Sequence, residues 1–223
     1  MNRFYLLLGG IAVAGLGIIT YLAVGRGHTV SIPANVVVQP ADTSGFEGYY
    51  LGSDSAPVEI TEYADFQCPA CQQFATLQFP VVEKQLIATG KVRWRYRDYP
   101  LDNAHPYARL VAHAAACANE QGKYWDFARL VYDGQFNWSS STDPGSIFRE
   151  YGRSLGLDLG SYDACMKSAR YAGRIQASLQ EGIALGVQST PTFLINGRLY
   201  PGALPSDAIV HVVDSLLQAR QPQ

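Results

Sequence analysis

The chain of 223 residues has no basic excess: 17 lysines and arginines stand against 19 acidic residues, for a formal net charge of −2. That balance excludes a dedicated nucleic-acid binder of the usual basic kind. Its one basic run, residues 91–97 (KVRWRYR), alternates cations with Val92, Trp94 and Tyr96, a period of two that suits a strand with one wetter face. Cysteine is scarce as well, four in all, and only Cys68 and Cys71 form a CxxC. Cys117 and Cys165 make no second pair of that kind, and His28, His105, His113 and His211 show no ligand spacing, so a four-ligand zinc site is not supported and no metal is expected. Internal repeats and long low-complexity tracts are absent. With 48% hydrophobic residues, what remains is one globular core with room for a tail and an insertion.

The first feature present is an uncharged run at residues 4–24 (FYLLLGGIAVAGLGIITYLAV), which as a helix would span about 31 Å at ~1.5 Å per residue. An N-terminal run of this length behind Arg3 reads as a targeting segment rather than a buried helix. It is long for a signal peptide, so an uncleaved anchor over residues 1–25 is expected. A signal cleaved near Ala23-Val24-Gly25, giving a secreted protein, is the alternative. Residues 26–47 carry turn formers and no helical period, and read as a linker with a short strand at Val36 to Val38. As a flexible chain it would reach roughly 25 Å.

The stretch VEITEYADFQCPACQQF at residues 58–74 holds the chemistry. An apolar, β-branched strand delivers Cys-Pro-Ala-Cys to the first turn of a helix. There, unpaired backbone N–H groups and the positive end of the helix dipole favour thiolate over thiol, so Cys68 reads as a nucleophile. Cys71, one turn further in, is placed to bridge with it and to point beneath it as the resolving thiol. Pro69 suits the first helical position, where its missing N–H has no intrahelical partner to lose. Pro80 should kink or divide the helix that follows.

A strand at residues 92–96 completes a parallel crossover unit. Residues 103–186 are helical by pattern: Leu110, Ala114, Cys117 and Ala118 share one face, and Asp143-Pro144 opens a helix carrying Ile147, Phe148, Tyr151 and Leu155. Strand signals then return around Asn196-Gly197, a dipeptide that tolerates the positive φ angles of a type I′ hairpin turn. Ser206 is placed to cap a last helix. The expected organisation is α/β: an N-terminal anchor, a linker, a first domain segment at 48–102, a helical insertion at 103–186 and a second segment at 187–223.

With FQCPAC at residues 66–71, the helical insertion and GVQSTPTF at residues 186–193, the chain resembles the DsbA-like thiol-disulfide oxidoreductases of the thioredoxin superfamily, closest to the membrane-tethered bacterial subgroup. The resemblance runs from about Gly48 to the final helix. It implies a thioredoxin fold interrupted by a helical subdomain, with Thr190-Pro191 as a cis-proline pair beside the sulfurs and Pro69 and Ala70 facing substrate with them. It also places Glu62 where such proteins keep a buried acid beneath the disulfide, as a proton relay to Cys71; a surface glutamate at a strand edge is the plainer reading. Asp65 alternates to the opposite face and ranks below it. Cys117 and Cys165 are either two buried free thiols or, with an even cysteine count in an oxidising compartment and a second disulfide in some family members, a structural bridge.

The resemblance further implies a monomeric oxidase without cofactor, anchored in the cell membrane with its catalytic domain on the extracytoplasmic, periplasmic side. Its partners would be reduced exported proteins and a quinone-linked membrane protein of the DsbB or vitamin K epoxide reductase type. A reductase or isomerase with the same residues, and a tethered chaperone-like binding module without redox turnover, are the rival readings.

Overall fold

The structure of the protein is a computed structural model, and the residues described are 30–220, with Tyr5 and Gly15 ahead of them. The expected anchor lies outside the described residues apart from those two. Among the described residues no helix is long and apolar enough to cross a membrane.

Among the described residues five strands form one sheet: β1 (Tyr49–Leu51), β2 (Val58–Ala64), β3 (Val92–Asp98), β4 (Thr192–Ile195) and β5 (Arg198–Pro201), in the order β1-β3-β2-β4-β5. Only β2 and β3 run parallel, in register from Val58 opposite Val92 to Ala64 opposite Asp98. Helices cover both faces of β2, so every residue of this strand except Glu59 is buried and the polar-apolar alternation of a one-sided strand is missing. On one face Val58, Ile60, Trp94, Phe193 and Ile195 pack against Phe74, Val82, Leu86, Ile209 and Val213.

Those helical partners come from two elements. One is α2, a continuous helix in four pieces, Pro69–Gln73, Phe74–Gln78, Phe79–Val82 and Glu83–Ile87, of which the second and fourth are π-type. Phe79 N–H reaches back five residues to Phe74 O, and the widened turn takes up Pro80, which has no N–H to give; the proline changes the hydrogen-bond pattern without ending the helix. The other is the C-terminal helix, Ser206–Gln218, capped by position at Pro205 rather than by Ser206, whose N–H goes to Gln78 Oε1 at 2.9 Å.

Between β3 and β4 lie α3 (Ala108–Asn119), α4 (Tyr124–Asp133), α5 (Gln135–Ser139), α6 (Pro144–Ser154), α7 (Leu159–Ser168) and α8 (Ala172–Leu185); the C-terminal helix is α9. Residues 108–118 of α3 are buried all round, and their six alanines let neighbouring helices approach closely. α3 is the axis of the insertion, joined to α7 by a Cys117–Cys165 disulfide (S–S 2.02 Å). Asp143 caps α6 through Ser146 N–H, as the Asp-Pro pair suggests. α8 packs on the second face of the sheet, where Arg95 and Arg97 both pair with Glu181 and Tyr63 Oη donates to the same carboxylate at 2.6 Å. The expected wetter face of β3 is therefore mostly covered, and Arg97 is buried. Gly186, at φ +87°, ends α8 and turns the chain toward Pro191, while Asn196 and Gly197 (φ +49° and +79°) make the expected hairpin.

Residues 30–46 differ from the expected free linker. Ile32 is buried, Val30, Val36 and Phe46 pack against the helical core, Val36 to Val38 form no strand, and Pro40–Thr43 makes one helical turn (α1). The Asp42 carboxylate sits against Gly173 in the first turn of α8, where a Cβ would collide with it and where the helix dipole favours a negative charge. Apolar side chains every few residues are what fasten this strap to the domain.

Candidate active site

The site is built at the crossover from β2 to α2. Asp65 O accepts the Cys68 N–H at 3.0 Å and Asp65 Oδ1 accepts the Gln67 N–H at 2.8 Å, folding residues 65–68 into a tight turn. Cys68 takes the N-cap position in extended backbone, with Pro69 as the first helical residue. Cys68 is 7% exposed and Cys71 not at all; Pro69 is exposed and Ala70 half-buried beside them. Both thiols are free.

The two sulfurs are electrostatically unlike. A hydrogen bond from Cys71 lowers the Cys68 thiol to a pKa of about 5; burial opposes this, and the Thr190 hydroxyl and the N–H groups of Cys71 and Ala70 act with it. Cys71 is pushed well above the ordinary thiol value, first by burial and then by its hydrogen bond to Cys68 and the thiolate charge there. One thiol is poised as a nucleophile and its neighbour keeps its proton.

Thr190 and Pro191, joined by a cis peptide bond, face the pair from the end of the loop after α8. The neutral Cys68 thiol donates to Thr190 O at 3.4 Å. Both residues are buried.

Glu62 is 4% exposed, which removes the surface-edge reading. Burial raises its carboxyl to about 8, tempered by a hydrogen bond from Trp94 Nε1 to Oε2 at 3.2 Å. It lines a cavity of about 50 Å³ bounded by Ala75, Tyr96 and Tyr132, with Asp133 on its outer side, and its charge is felt at Cys71. An acid with this pKa holds a proton near neutrality and releases it readily.

Three residues outside the expected set join the site. Asp65 does lie on the opposite face from Glu62, yet it is buried and organises the turn: besides Gln67 it accepts the Leu101 N–H at 2.8 Å and faces His105 Nδ1 at 2.7 Å. Gln135, at the start of α5, uses one amide nitrogen to donate to Phe66 O at 2.7 Å and Cys68 O at 3.0 Å. A polar residue opening a short helix 67 positions from Cys68 carries no periodic signal; only the tertiary fold brings it there.

Cys117 and Cys165 lie away from this site, bonded to each other between α3 and α7. His113 does have a ligand-like spacing, one helical turn before Cys117, which corrects the reading of the histidines. The donor atoms of His113, Cys117 and Cys165 fall within 4.8 Å of one another. Because the two sulfurs are spent on the disulfide, neither is a thiolate able to hold a metal ion.

Comparison with known proteins agrees with this architecture. Residues 46–215 match the family model Thioredoxin_4, described as thioredoxin. Among solved structures, the chain is similar to BdbD from Bacillus subtilis (TM-score 0.69, 21% identity, 76% of this chain and 92% of that one). It is similar also to DsbA from Chlamydia trachomatis (TM-score 0.72, 17% identity, 85% and 100%). Curated relatives include proteins named Na(+)/H(+) antiporter NhaA 3 from Salinispora tropica, 36% identical over 164 residues, and NhaA 1 from Salinispora arenicola, 33% identical over the same length. Each match takes in 74% of this chain and 24% of the relative, so the chain spans about a quarter of the length of the curated relatives it matches. A five-stranded sheet with an inserted helical subdomain, and a match over most of its length, make the chain a member of the thioredoxin family with a DsbA-like fold.

Proposed function

We propose that the protein is a thiol-disulfide oxidase that introduces disulfides into exported proteins through Cys68 and Cys71. The observation that carries this reading is the split between the two thiols, Cys68 lowered to about 5 and Cys71 raised. A substrate thiolate attacks the Cys68 sulfur of the Cys68–Cys71 bridge, and Cys71 leaves. A leaving group that binds its proton tightly needs one at that moment, and Glu62 holds it. A second substrate thiolate then attacks the substrate sulfur of the mixed disulfide and expels Cys68 as a stabilised thiolate. The substrate dithiol loses two electrons and two protons, and the enzyme is left reduced. Stabilising that reduced form makes the disulfide a strong oxidant.

Thr190 O lies at the nucleophile, in position to accept a hydrogen bond from the backbone of an extended substrate, with Pro191, Pro69 and Ala70 around it. Reoxidation falls to a quinone-linked membrane protein of the DsbB or vitamin K epoxide reductase type. The uncharged run at residues 4–24 serves as the anchor of the membrane-tethered subgroup, with the catalytic domain on the extracytoplasmic side. Relatives named as antiporters carry a matching segment, which supports a domain that works beside a membrane.

The test is refolding of a reduced multi-cysteine protein with stoichiometric oxidised enzyme. Loss of two substrate thiols per enzyme disulfide is expected, and Cys68→Ser abolishes it. No thiol loss, or a strongly reducing Cys68–Cys71 potential, would replace the oxidase reading with a reductase.

A further inference from the structure

Glu62 serves the resolving sulfur from one face of β2; on the other face stands a second ionisable pair that the exchange chemistry above leaves unused. The loop after β3 carries His105 to Asp65, with Nδ1 2.7 Å from Oδ2, and the Asp65 side chain is wholly buried. The same residue's main-chain oxygen accepts the Cys68 N–H. A single aspartate thus binds the imidazole through its side chain and the nucleophile through its backbone.

The charges around His105 are unevenly matched. Across a cavity of about 280 Å³ stand Asp102 and Arg109, paired with each other by two hydrogen bonds of 2.7 and 2.8 Å, so their fields largely cancel. Ile32, Tyr107 and Leu110 supply apolar wall. From the end of β2 comes the Asp65 carboxylate, and from the start of α2 the Cys68 sulfur. The Asp65 carboxylate touches the imidazole in both redox states, and Cys68, tied to the same aspartate through its N–H, adds a second negative charge whose field reaches the ring only when the enzyme is reduced.

We propose that His105, clamped by Asp65, is the cationic partner of the Cys68 thiolate, a positioning residue whose proton affinity follows the redox state of the dithiol. The hydrogen bond to Asp65 raises His105 above the ordinary imidazole value, burial opposes it, and the Asp65 and Cys68 charges add to the rise. Coupling between two titrating sites is reciprocal, so a thiolate that tightens the imidazole's proton is itself favoured by the imidazolium. When a substrate dithiol reduces the Cys68–Cys71 bridge, its two electrons break the S–S bond. Of its two protons, Cys71 takes one, and the second is divided between solvent and His105 Nε2. The inference rests on the proposed exchange reaction for its purpose, yet it makes a claim about charge that stands without any substrate.

The experiment is titration of the His105 imidazole by NMR in the full chain, oxidised and reduced, with the resonance assigned from His105→Gln. In the reduced form His105 is expected to bind its proton about threefold more tightly or better, half a pKa unit or more. Reduced Cys68→Ser, which has no thiolate, matches the oxidised form. In the same way His105→Gln, whose amide still donates to Asp65, moves the alkylation midpoint of Cys68 upward by a like amount. Identical His105 titrations in all three forms, or an unmoved Cys68 midpoint in His105→Gln, would overturn the proposal. Failure of the thiol count above leaves both titrations intact, and failure of the titrations leaves the thiol count intact.

Discussion

The indole of Trp94 donates to Glu62 Oε2 at 3.2 Å, across the pair of parallel strands that carry the redox turn. Burial raises this carboxyl to about 8 and the indole pulls it down. Between the unfolded value of 4.5 and about 8 the unfolded chain gives up the proton that the folded chain keeps. The unfolded state therefore binds fewer protons, and stability falls as pH rises through that window. By pH 7 the loss reaches up to about 3 kcal/mol. Glu62→Gln removes that slope and is more stable than the parent at pH 7 by denaturant unfolding. A residual slope of the same sign remains from buried Asp98, whose carboxyl is raised to about 7. Trp94→Phe, lacking the donor, lifts the Glu62 midpoint further, read as a shift in the pH profile of mixed-disulfide resolution.

Cys68 shows the opposite sign. Its folded pKa of about 5 lies below the unfolded thiol value of 9.0, so the stabilisation of the reduced form is fully present above pH 9 and is lost as pH falls through 5. Alkylation by iodoacetamide is expected to be half-maximal near pH 5. Cys71→Ala removes the largest of the causes and raises that midpoint by roughly one to two units, while the N–H of Ala70 and of residue 71 at the helix start still holds it below a free thiol. A midpoint in Cys71→Ala unchanged from the parent would show that the Cys71 thiol does not lower the nucleophile.

The parts of this site that sequence discloses are those encoded locally. Cys68-Pro-Ala-Cys71 announces a helix start because proline and the β-branched run before it act within a few residues, and Asn196-Gly197 announces its hairpin for the same reason. Glu62 is legible only as one of two strand acids of opposite facing. Its burial depends on α2 and α4 closing over the end of β2, and the burial of Asp65 on the loop that returns Leu101 and His105 to it. Gln135 is illegible, since its two acceptors are main-chain oxygens that any residue supplies. The strap at residues 30–46 is misread because its anchoring residues, Val30, Ile32, Val36 and Phe46, have no regular spacing and match the surface of the helical insertion instead.

Gln135 spans the insertion and the redox turn, so its removal separates the two. Gln135→Leu leaves Phe66 O without its donor, whereas Cys68 O retains the Gln72 N–H at 3.1 Å. A stability loss of about 1–3 kcal/mol follows from the unpaired buried carbonyl. Gln135→Glu is worse, because a carboxylate at that place faces two carbonyl oxygens and can donate to neither unless protonated. Denaturant unfolding orders the three proteins parent, Gln135→Leu, Gln135→Glu, and the gap between the last two narrows at low pH.

The Cys117–Cys165 bridge closes a loop of sequence separation 48 between α3 and α7, both buried at the joint. In the chain-entropy account a closure of that length restricts the unfolded chain by an idealised ~4 kcal/mol. Replacing both cysteines by alanine is expected to lower stability by about 2–4 kcal/mol, since the surrounding contacts of Tyr162, Phe127 and Ala114 survive the change. The bridge lies in the insertion and shares no hydrogen bond with Cys68, so the alkylation midpoint of Cys68 in the double variant stays at about 5. Chemical denaturation followed by thiol titration on one sample checks both statements. A fall in stability together with a raised Cys68 midpoint would show that the α3–α7 joint acts on the redox turn, through α5 and Gln135, and not on the unfolded chain alone.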